Sequence, residues 1–179
     1  MLSARTNKHR DLLFLKSLRA SAENCTCQAA RQTAPTITQM YDGFLEPVDI
    51  SIGQYLILAR LHRSKAVSMA NLASKLHMDR TSLTRTLRPL EREGLLTVRS
   101  SSEDGRCRMV RLTATGLDRI ALAYPLWSRA QMALERSLGT IALKQVRALL
   151  SEVSDIAGHY SRVLRRRKQR RTRVEQFQK

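Results

Sequence analysis

Apolar residues recur at steps of three and four along much of the chain, which is the spacing of amphipathic helices. The first such stretch covers residues 27–44. Pro35 lies inside it and removes one backbone donor, so we expect either a kink at that point or a helix that begins near Thr33. Pro47 is expected to end this first helix.

A second helix is predicted after Ser51, because a serine side chain suits the N-cap position. This helix should end near Ser64. Its apolar positions predict a buried stripe of Ile52, Tyr55, Leu56, Ala59 and Leu61.

Two short helices joined by a tight turn are predicted between residues 68 and 90. Ser68 can cap the first helix and Asp79 the second, with the turn at residues 77–79. The side chains expected to face the core are Met69, Leu72, Ala73, Leu76, Leu83, Leu87 and Leu90. The opposite face of the second helix carries hydroxyls and guanidinium groups, at Thr81, Thr84, Arg85 and Arg88. This arrangement is typical of a helix-turn-helix, in which arginine can bond to guanine edges and short hydroxyls to bases or phosphates.

A hairpin is predicted directly after this helix pair. Gly94 suits a helix C-terminus, and apolar and polar residues then alternate over residues 95–99 and 109–113. The polar residues 100–108 between them contain the turn-forming pair Asp104-Gly105. The sequence therefore predicts a winged helix, whose arginine-bearing tip can enter the narrow minor groove of DNA.

Two longer helices are predicted in the last third of the chain. Thr113 can cap the first, and Pro125 should kink it. Its apolar positions are Leu117, Ile120, Ala121, Tyr124, Leu126 and Met132. After Gly139, apolar residues recur about every 3.5 positions, at Val146, Leu149, Leu150, Val153, Ile156, Ala157, Tyr160, Val163 and Leu164. Such a stripe requires a partner helix, which either the core of one chain or a second copy could supply.

The net charge of +17 is unevenly distributed along the chain. Residues 1–22 carry a net charge of +4 and residues 162–179 a net charge of +8. Residues 51–112 hold 12 basic and five acidic residues, a net charge of +7, whereas the rest of residues 23–161 has a net charge of −2. Positive charge concentrated on one lobe is what binding to a phosphate backbone requires.

The sequence argues against a membrane protein and against an enzyme. Its apolar runs are far shorter than the roughly 20 residues that span a bilayer. It contains no Gly-rich phosphate loop and no Ser/His/Asp or His-x-x-x-His pattern, so we expect no catalytic site and no cofactor. Cys25, Cys27 and Cys107 do not have the spacing of a zinc site, so we expect free thiols and no bound metal.

Over residues 24–164 the chain resembles bacterial regulators of the MarR family, most strongly in the stretch MDRTSLTRTLRPLEREGLLTVRSSSEDGRCRMVRLTATG. The residues that carry the resemblance are Pro89 in the recognition helix, the wing pair Asp104 and Arg106, and Thr113 and Gly116. The resemblance implies a homodimeric winged-helix repressor, or less often an activator, in a bacterial cytoplasm. Two-fold symmetry would match an inverted-repeat operator with half-sites roughly 34 Å apart.

The resemblance also implies roles for individual residues. Arg106 would probe the minor groove, and Asp104 would steady the wing. The predicted DNA-binding residues are Ser68, Arg80, Thr81, Ser82, Thr84, Arg85, Arg88, Arg106 and Arg108.

Release of the operator by a small-molecule inducer is the response that the resemblance implies. The candidates to line its pocket are Tyr41, Tyr55, His62 and Trp127, and the alternative for each is an ordinary core or surface position. Cys27 is a candidate for peroxide sensing, which some relatives perform with a cysteine at the start of this helix. Arg31 and Ile52, however, stand where those sensors have tyrosines, and the alternative for Cys27 is ordinary helix packing.

The predicted fold is mainly α with a small β-hairpin wing, that is, a winged helix-turn-helix plus a helical dimerisation region. Residues 51–113 would form the DNA-binding domain, and residues 23–50 and 114–165 the dimerisation region. Residues 1–22 would be a basic extension and residues 166–179 a disordered basic tail. The predicted function is sequence-specific transcriptional regulation. The alternatives are a non-specific or architectural nucleic-acid-binding protein and a cysteine-based redox-sensing repressor of the same fold.

Overall fold

The computed structural model describes Phe14, Leu18, Ser21 and residues 23–64, 66–101 and 107–177. The chain divides into two compact units, Met1–Ser128 and Arg129–Lys179. From Thr26 onward, the helices of the described residues are α1 (Thr26–Leu45), α2 (Ile52–His62), α3 (Met69–Lys75), α4 (Arg80–Arg92), α5 (Ala114–Leu138) and α6 (Thr140–Phe177). The strands are β1 (Val67–Ser68), β2 (Leu96–Ser100) and β3 (Arg108–Leu112). A mainly α fold with a small β wing is therefore confirmed.

Helix α1 begins at Thr26 and continues through Pro35, so the alternative of a helix that begins near Thr33 is wrong. A proline removes a single amide donor, here the one that would bond to the carbonyl of Arg31. The remaining turns keep their hydrogen bonds, and the helix extends to Leu45, where a 3-10 turn (Glu46–Val48) containing Pro47 follows.

Helix α2 is capped by Ser51, as predicted. The Ser51 Oγ accepts a hydrogen bond from the Gln54 amide at 3.2 Å, and the Gln54 Oε1 accepts one from the Ser51 amide at 2.7 Å. The buried residues of this helix are Tyr55, Ile57, Leu58 and Leu61. The predicted burial of Leu56 is wrong, since its side chain is 44% exposed. The helix directs Ile57 and Leu58 into the core, and Leu56 lies outside that face.

The hydrophobic core of the first unit lies among α2, α3, α4 and the sheet, with the end of α1 and the first half of α5 packed into it. The predicted face of α4 is buried there, as are Met69 and Leu72 of α3, whereas Ala73 and Leu76 are half-buried. Full burial of a leucine contributes about 1.5–3 kcal/mol relative to exposure. The fully buried side chains include Leu45, Ile57, Leu58, Leu61, Leu72, Leu83, Leu90, Leu95, Leu96 and Val110. This core fixes the orientation of α4, which is the helix that carries the predicted DNA-binding face.

The sheet has the strand order β1-β3-β2, with antiparallel pairing throughout. Strands β2 and β3 form the predicted hairpin, in which Leu96 pairs with Leu112 and Ser100 with Arg108. Strand β1 was not predicted. It has only two residues and acquires its hydrogen bonds from the distant β3, so no local pattern marks it.

Helix α5 continues through Pro125 and buries only part of the predicted apolar positions. Ile120 and Leu126 are buried as expected, whereas Leu117, Tyr124 and Met132 are 43%, 57% and 42% exposed and Ala121 is exposed. The buried positions are Gly116, Ile120, Ala123, Leu126 and Ala130. Gly116 packs directly against the backbone of Leu95, and this contact sets the rotation of the helix about its axis.

Helix α6 extends to Phe177, so residues 166–177, which the sequence predicts to be a disordered tail, are helical in the structure. Its predicted apolar stripe is exposed on the single chain, at Val146, Leu149, Leu150, Val153, Ile156, Tyr160 and Leu164. In the described part of the chain, no helix, α6 included, is both long and apolar enough to cross a membrane.

Candidate nucleic-acid interface

The turn between α3 and α4 sets the angle at which α4 leaves the core. Ser68 caps α3 by accepting a hydrogen bond from the Asn71 amide at 3.2 Å. His77 has a left-handed backbone conformation with φ of 52°, and the Met78 amide donates to the Ala73 carbonyl at 3.0 Å. The chain therefore reverses within three residues and places Asp79 at the start of α4, as the sequence predicts.

The carboxylate of Asp79 caps α4. Its Oδ1 accepts hydrogen bonds from the amides of Thr81 and Ser82, both at 2.9 Å, and its Oδ2 accepts one from the Ser82 hydroxyl at 2.6 Å. The bond from the Ser82 hydroxyl, followed by those from backbone amides, lowers the pKa of the Asp79 carboxyl below its ordinary value. The cap is therefore ionised at neutral pH and holds the first turn of α4 in place.

Two hydroxyls of the predicted DNA-binding set already donate hydrogen bonds within the protein. Ser82 donates to Asp79, and the Thr84 Oγ1 donates to the Arg80 carbonyl at 2.8 Å. A hydroxyl has one hydrogen to donate and two lone pairs. In this conformation both side chains can therefore accept hydrogen bonds from a ligand but have none left to donate.

The outward face of α4 is a single surface, which we call the recognition face. Leu83, Leu87 and Leu90 point into the core, and the opposite side lines an open cleft of about 390 Å³. The cleft is lined by Arg80, Thr81, Thr84, Arg85 and Arg88. The structure thus brings together five of the predicted DNA-binding residues on one helix.

The wing is tied to α4 through its base. The Glu91 Oε1 accepts a hydrogen bond from the Val98 amide at 3.1 Å. This amide lies on the outer edge of β2, where no neighbouring strand of the described sheet would bond to it. Arg108 is exposed at the start of β3. Asp104 and Arg106, the predicted tip residues, lie outside the described residues, so their roles stay predictions.

A cluster of backbone contacts fixes α5 to the junction of α4 and β2. The Thr113 hydroxyl donates to the Gly94 carbonyl at 2.7 Å and accepts from the Gly116 amide at 3.0 Å, so Thr113 caps α5 as predicted. Gly94 has φ of 70°, a conformation that favours glycine. The Leu95 carbonyl oxygen accepts a hydrogen bond from the Thr113 amide at 3.2 Å. The same oxygen would lie 2.0 Å from a Cβ atom at position 116, so only glycine fits there.

Arg119 provides a second connection that the sequence reasoning missed. Its Nη1 donates to the Val48 carbonyl at 3.0 Å and lies 3.9 Å from the Glu93 Oε2. It therefore links α5 both to the α1–α2 connection and to the C-terminal end of α4. One arginine among many gave no local signal of this role, because its partners are distant in sequence.

A larger cavity, of about 740 Å³, lies beside α2, α3 and α5. Tyr55 and Trp127, both predicted pocket residues, stack in its wall with ring centroids 5.8 Å apart, and Tyr124 stacks on Trp127 at 5.9 Å. Burial, and then the nearby Tyr124, raises the pKa of Tyr55. The described lining includes three cationic residues, namely Arg60, Arg63 and Lys75.

The other two candidate pocket residues do not line this cavity. Tyr41 is buried in α1, and His62 is exposed at the end of α2. Tyr41 is thus a core residue and His62 a surface residue, which are the two alternatives that the sequence left open for them. The sequence indicates only weakly that Arg60, Arg63 and Lys75 share a cavity, since a turn and a strand separate the first two from Lys75.

The three cysteines are free thiols in the structure. Cys25 and Cys27 are exposed at the start of α1, and Cys107 Sγ lies 3.8 Å from Met109 Sδ at the base of the wing. Redox sensing by Cys27 stays a prediction. Among the described residues, no group of three or more His, Cys, Asp or Glu side chains could hold a metal ion.

Comparison with known proteins places this geometry in a family. Residues 50–107 match the model of the MarR family. The chain is 30% identical over 113 residues to an HTH-type transcriptional regulator, YhbI, of Bacillus subtilis (strain 168), covering 63% of this chain and 73% of the relative. It is also 30% identical over 94 residues to the organic hydroperoxide resistance transcriptional regulator of the same organism, covering 52% of this chain and 64% of the relative.

Among solved structures, the fold is similar to the transcriptional regulator MosR of M. tuberculosis in complex with DNA. The TM-score is 0.67 at 31% sequence identity, and the match covers 75% of this chain and 98% of MosR. The residues 50–107 that match the family model include the helix pair and strand β2 of the wing. This chain therefore belongs to the MarR family of DNA-binding transcriptional regulators.

Proposed function

We propose that the protein is a homodimeric repressor of the bacterial cytoplasm that binds an inverted-repeat operator and is released from it by a small molecule. The observation that carries this proposal is the recognition face of α4. It combines three arginines with two threonines on the outer side of a helix whose inner side is locked into the core. This surface has the residues, the exposure and the rigidity that reading the major groove requires.

Within this proposal the residues of α4 divide into base-reading and positioning roles. Arg85 and Arg88 are exposed and suit bidentate bonds to guanine edges. Ser82 and Thr84, whose hydroxyl hydrogens are engaged, would accept bonds from base amino groups. Ser68 and Arg108, which lie outside α4, would contact phosphates, and Arg106 would reach the minor groove.

The exposed apolar stripe of α6 supports the dimer. Its residues recur at the spacing of a coiled-coil seam, and on the single chain they are 41–64% exposed. A second copy would cover them, and two-fold symmetry would then present two recognition faces to two half-sites.

Selection of bound duplexes from a random library tests this function. We expect the full-length protein at about 0.15 M salt to enrich an inverted repeat and to bind it at least about 10³-fold more tightly than random duplex DNA. Equal affinity for all duplexes would favour the alternative of an architectural nucleic-acid-binding protein instead.

The cavity beside α2, α3 and α5 supports the proposal of an inducer-binding site. Its aromatic wall would bind an apolar ring, and the cations of Arg60, Arg63 and Lys75 would attract an acidic group, so we infer an aromatic or other apolar anion as the ligand. Lys75 ends α3, which lies immediately before the turn to α4. A ligand held against this residue could therefore shift the recognition helix and weaken operator binding.

Trp127 offers a direct test of this site, because it is the single tryptophan of the chain and lies in the cavity wall. We expect benzoate to quench Trp127 fluorescence saturably. Benzamide, which has the same ring without the charge, should bind about tenfold more weakly because it lacks the charge-assisted hydrogen bonds.

The variant Arg63→Gln should abolish the preference for benzoate over benzamide. The matched control Arg111→Gln removes an exposed arginine of β3 that is not part of the cavity lining, and it should leave the preference intact. Quenching that does not saturate, or equal effects of the two variants, would count against an anion site in this cavity.

A further inference from the structure

The C-terminal end of α6 is the most concentrated positive segment of the protein. Residues 162–173 contain eight lysines and arginines and no acidic residue. The helix continues through this segment to Phe177, and the side chains of Arg165, Arg166, Arg167 and Lys168 are exposed. We call residues 162–173 the basic helix end.

The basic helix end contains like charges at helical spacings and no acidic residue of its own. Positively charged residues follow one another at steps of three and four, as at Arg162, Arg165 and Arg166, and like charges at these spacings destabilise a helix. The nearest acidic residues in sequence are Asp155 on one side and Glu175 on the other. A bound polyanion would reduce the repulsion between these like charges and so stabilise the helix.

The composition also narrows the class of polyanion. The only apolar side chains of the basic helix end are Val163 and Leu164, at its start, and residues 165–173 contain none. These nine residues therefore lack the apolar face with which interfacial helices enter a lipid surface. At 1.5 Å per residue, the eight cations of the whole basic helix end lie along roughly 18 Å of helix. This density approaches that of duplex DNA, which carries one negative charge per about 1.7 Å.

We propose that the basic helix end binds the phosphate backbone of duplex DNA independently of sequence, in addition to the contact made by the recognition face. Duplex DNA is the favoured partner because the chain belongs to a DNA-binding family. Once the winged part of the molecule is bound, the effective concentration of phosphate near a tethered basic segment is high. The contact adds affinity and salt dependence, and it leaves the choice of operator to α4 and the wing.

The test is the salt dependence of binding of the full-length protein to a random-sequence 40-base-pair duplex. The double variant R166Q/R167Q should lower the slope of log affinity against log salt by about two, since each phosphate contact contributes about 0.9. Its affinity for the random duplex at about 0.1 M salt should fall roughly tenfold or more. The matched control K144Q/R147Q removes the same charge from exposed positions earlier on α6 and should keep the wild-type slope.

Each other outcome overturns the proposal. A wild-type slope for R166Q/R167Q would show that the segment does not contact DNA, and equal slopes for the two double variants would show that only net charge matters. If R166Q/R167Q weakens binding to single-stranded RNA or to vesicles with 30% phosphatidylserine but not to the duplex, the partner is RNA or an anionic membrane. Because the random duplex contains no operator, this result does not depend on whether operator selection succeeds.

Discussion

The variant Gly116→Ala is expected to destabilise the first unit of the chain by about 3 kcal/mol or more. An alanine Cβ at this position would lie 2.0 Å from the Leu95 carbonyl oxygen and 2.8 Å from the Leu112 Cδ1. The oxygen is a backbone atom that also accepts the Thr113 amide bond, so it cannot move aside by a change of rotamer. Either α5 must shift away from the α4–β2 junction or that hydrogen bond must break. Denaturant unfolding followed by circular dichroism measures the loss.

Gly43→Ala is the matched control for this substitution. Gly43 is exposed within α1, and a Cβ there meets nothing within 4 Å. Alanine has the higher helix propensity, so this variant should be neutral or more stable by up to about 1 kcal/mol. Equal unfolding free energies for the two variants would show that the contact between Gly116 and Leu95 does not determine the packing of α5.

The variant Arg85→Ala is expected to weaken binding to the selected operator by about 10- to 100-fold, which corresponds to about 1–3 kcal/mol for one bidentate base contact. Arg85 lies in the middle of the recognition face, it is exposed, and it lines the α4 cleft. Its removal should leave the fold unchanged, because the helix is held by Leu83, Leu87 and the Asp79 cap. Fluorescence anisotropy with the operator and with random duplex DNA measures both affinities.

The comparison between the two duplexes distinguishes a base contact from a phosphate contact. If Arg85 reads a base, discrimination between operator and random DNA should fall together with affinity. Arg136→Ala, at an exposed position in the last turn of α5, removes the same charge and should change both affinities little. A proportional loss on both duplexes for Arg85→Ala would assign this residue to the backbone.

Local patterns predicted the helix pair and the wing well because each of these elements carries its own signals. Asp79 is followed by leucines at a helical spacing, and Gly94 is followed by strands in which apolar and polar residues alternate. Caps, periodicity and turn residues therefore all indicate the same elements. The recognition face follows from the same periodicity, since fixing the buried leucines fixes the opposite side of the helix.

Local patterns failed where the buried face depends on a neighbour that is distant in sequence. Leu117 and Tyr124 have the spacing of a buried stripe, yet they are exposed because the contact of Gly116 with Leu95 rotates α5. Likewise, the sequence suggests four residues for the ligand pocket, and only two of them, Tyr55 and Trp127, line the same cavity. The cations beside them come from α2 and α3, and no spacing rule joins those two helices.

The sequence by itself determined the class of this protein, because helix periodicity, caps, turn residues and the concentration of charge are properties of short segments. It thereby specified a winged helix-turn-helix with a basic recognition helix, and it singled out the arginines of α4. Only the tertiary structure decided which face of α5 is buried, how Arg119 connects α5 to the end of α4, and which aromatic and cationic side chains share a cavity. These features depend on contacts between residues far apart in sequence, and such contacts exist only once the core has packed.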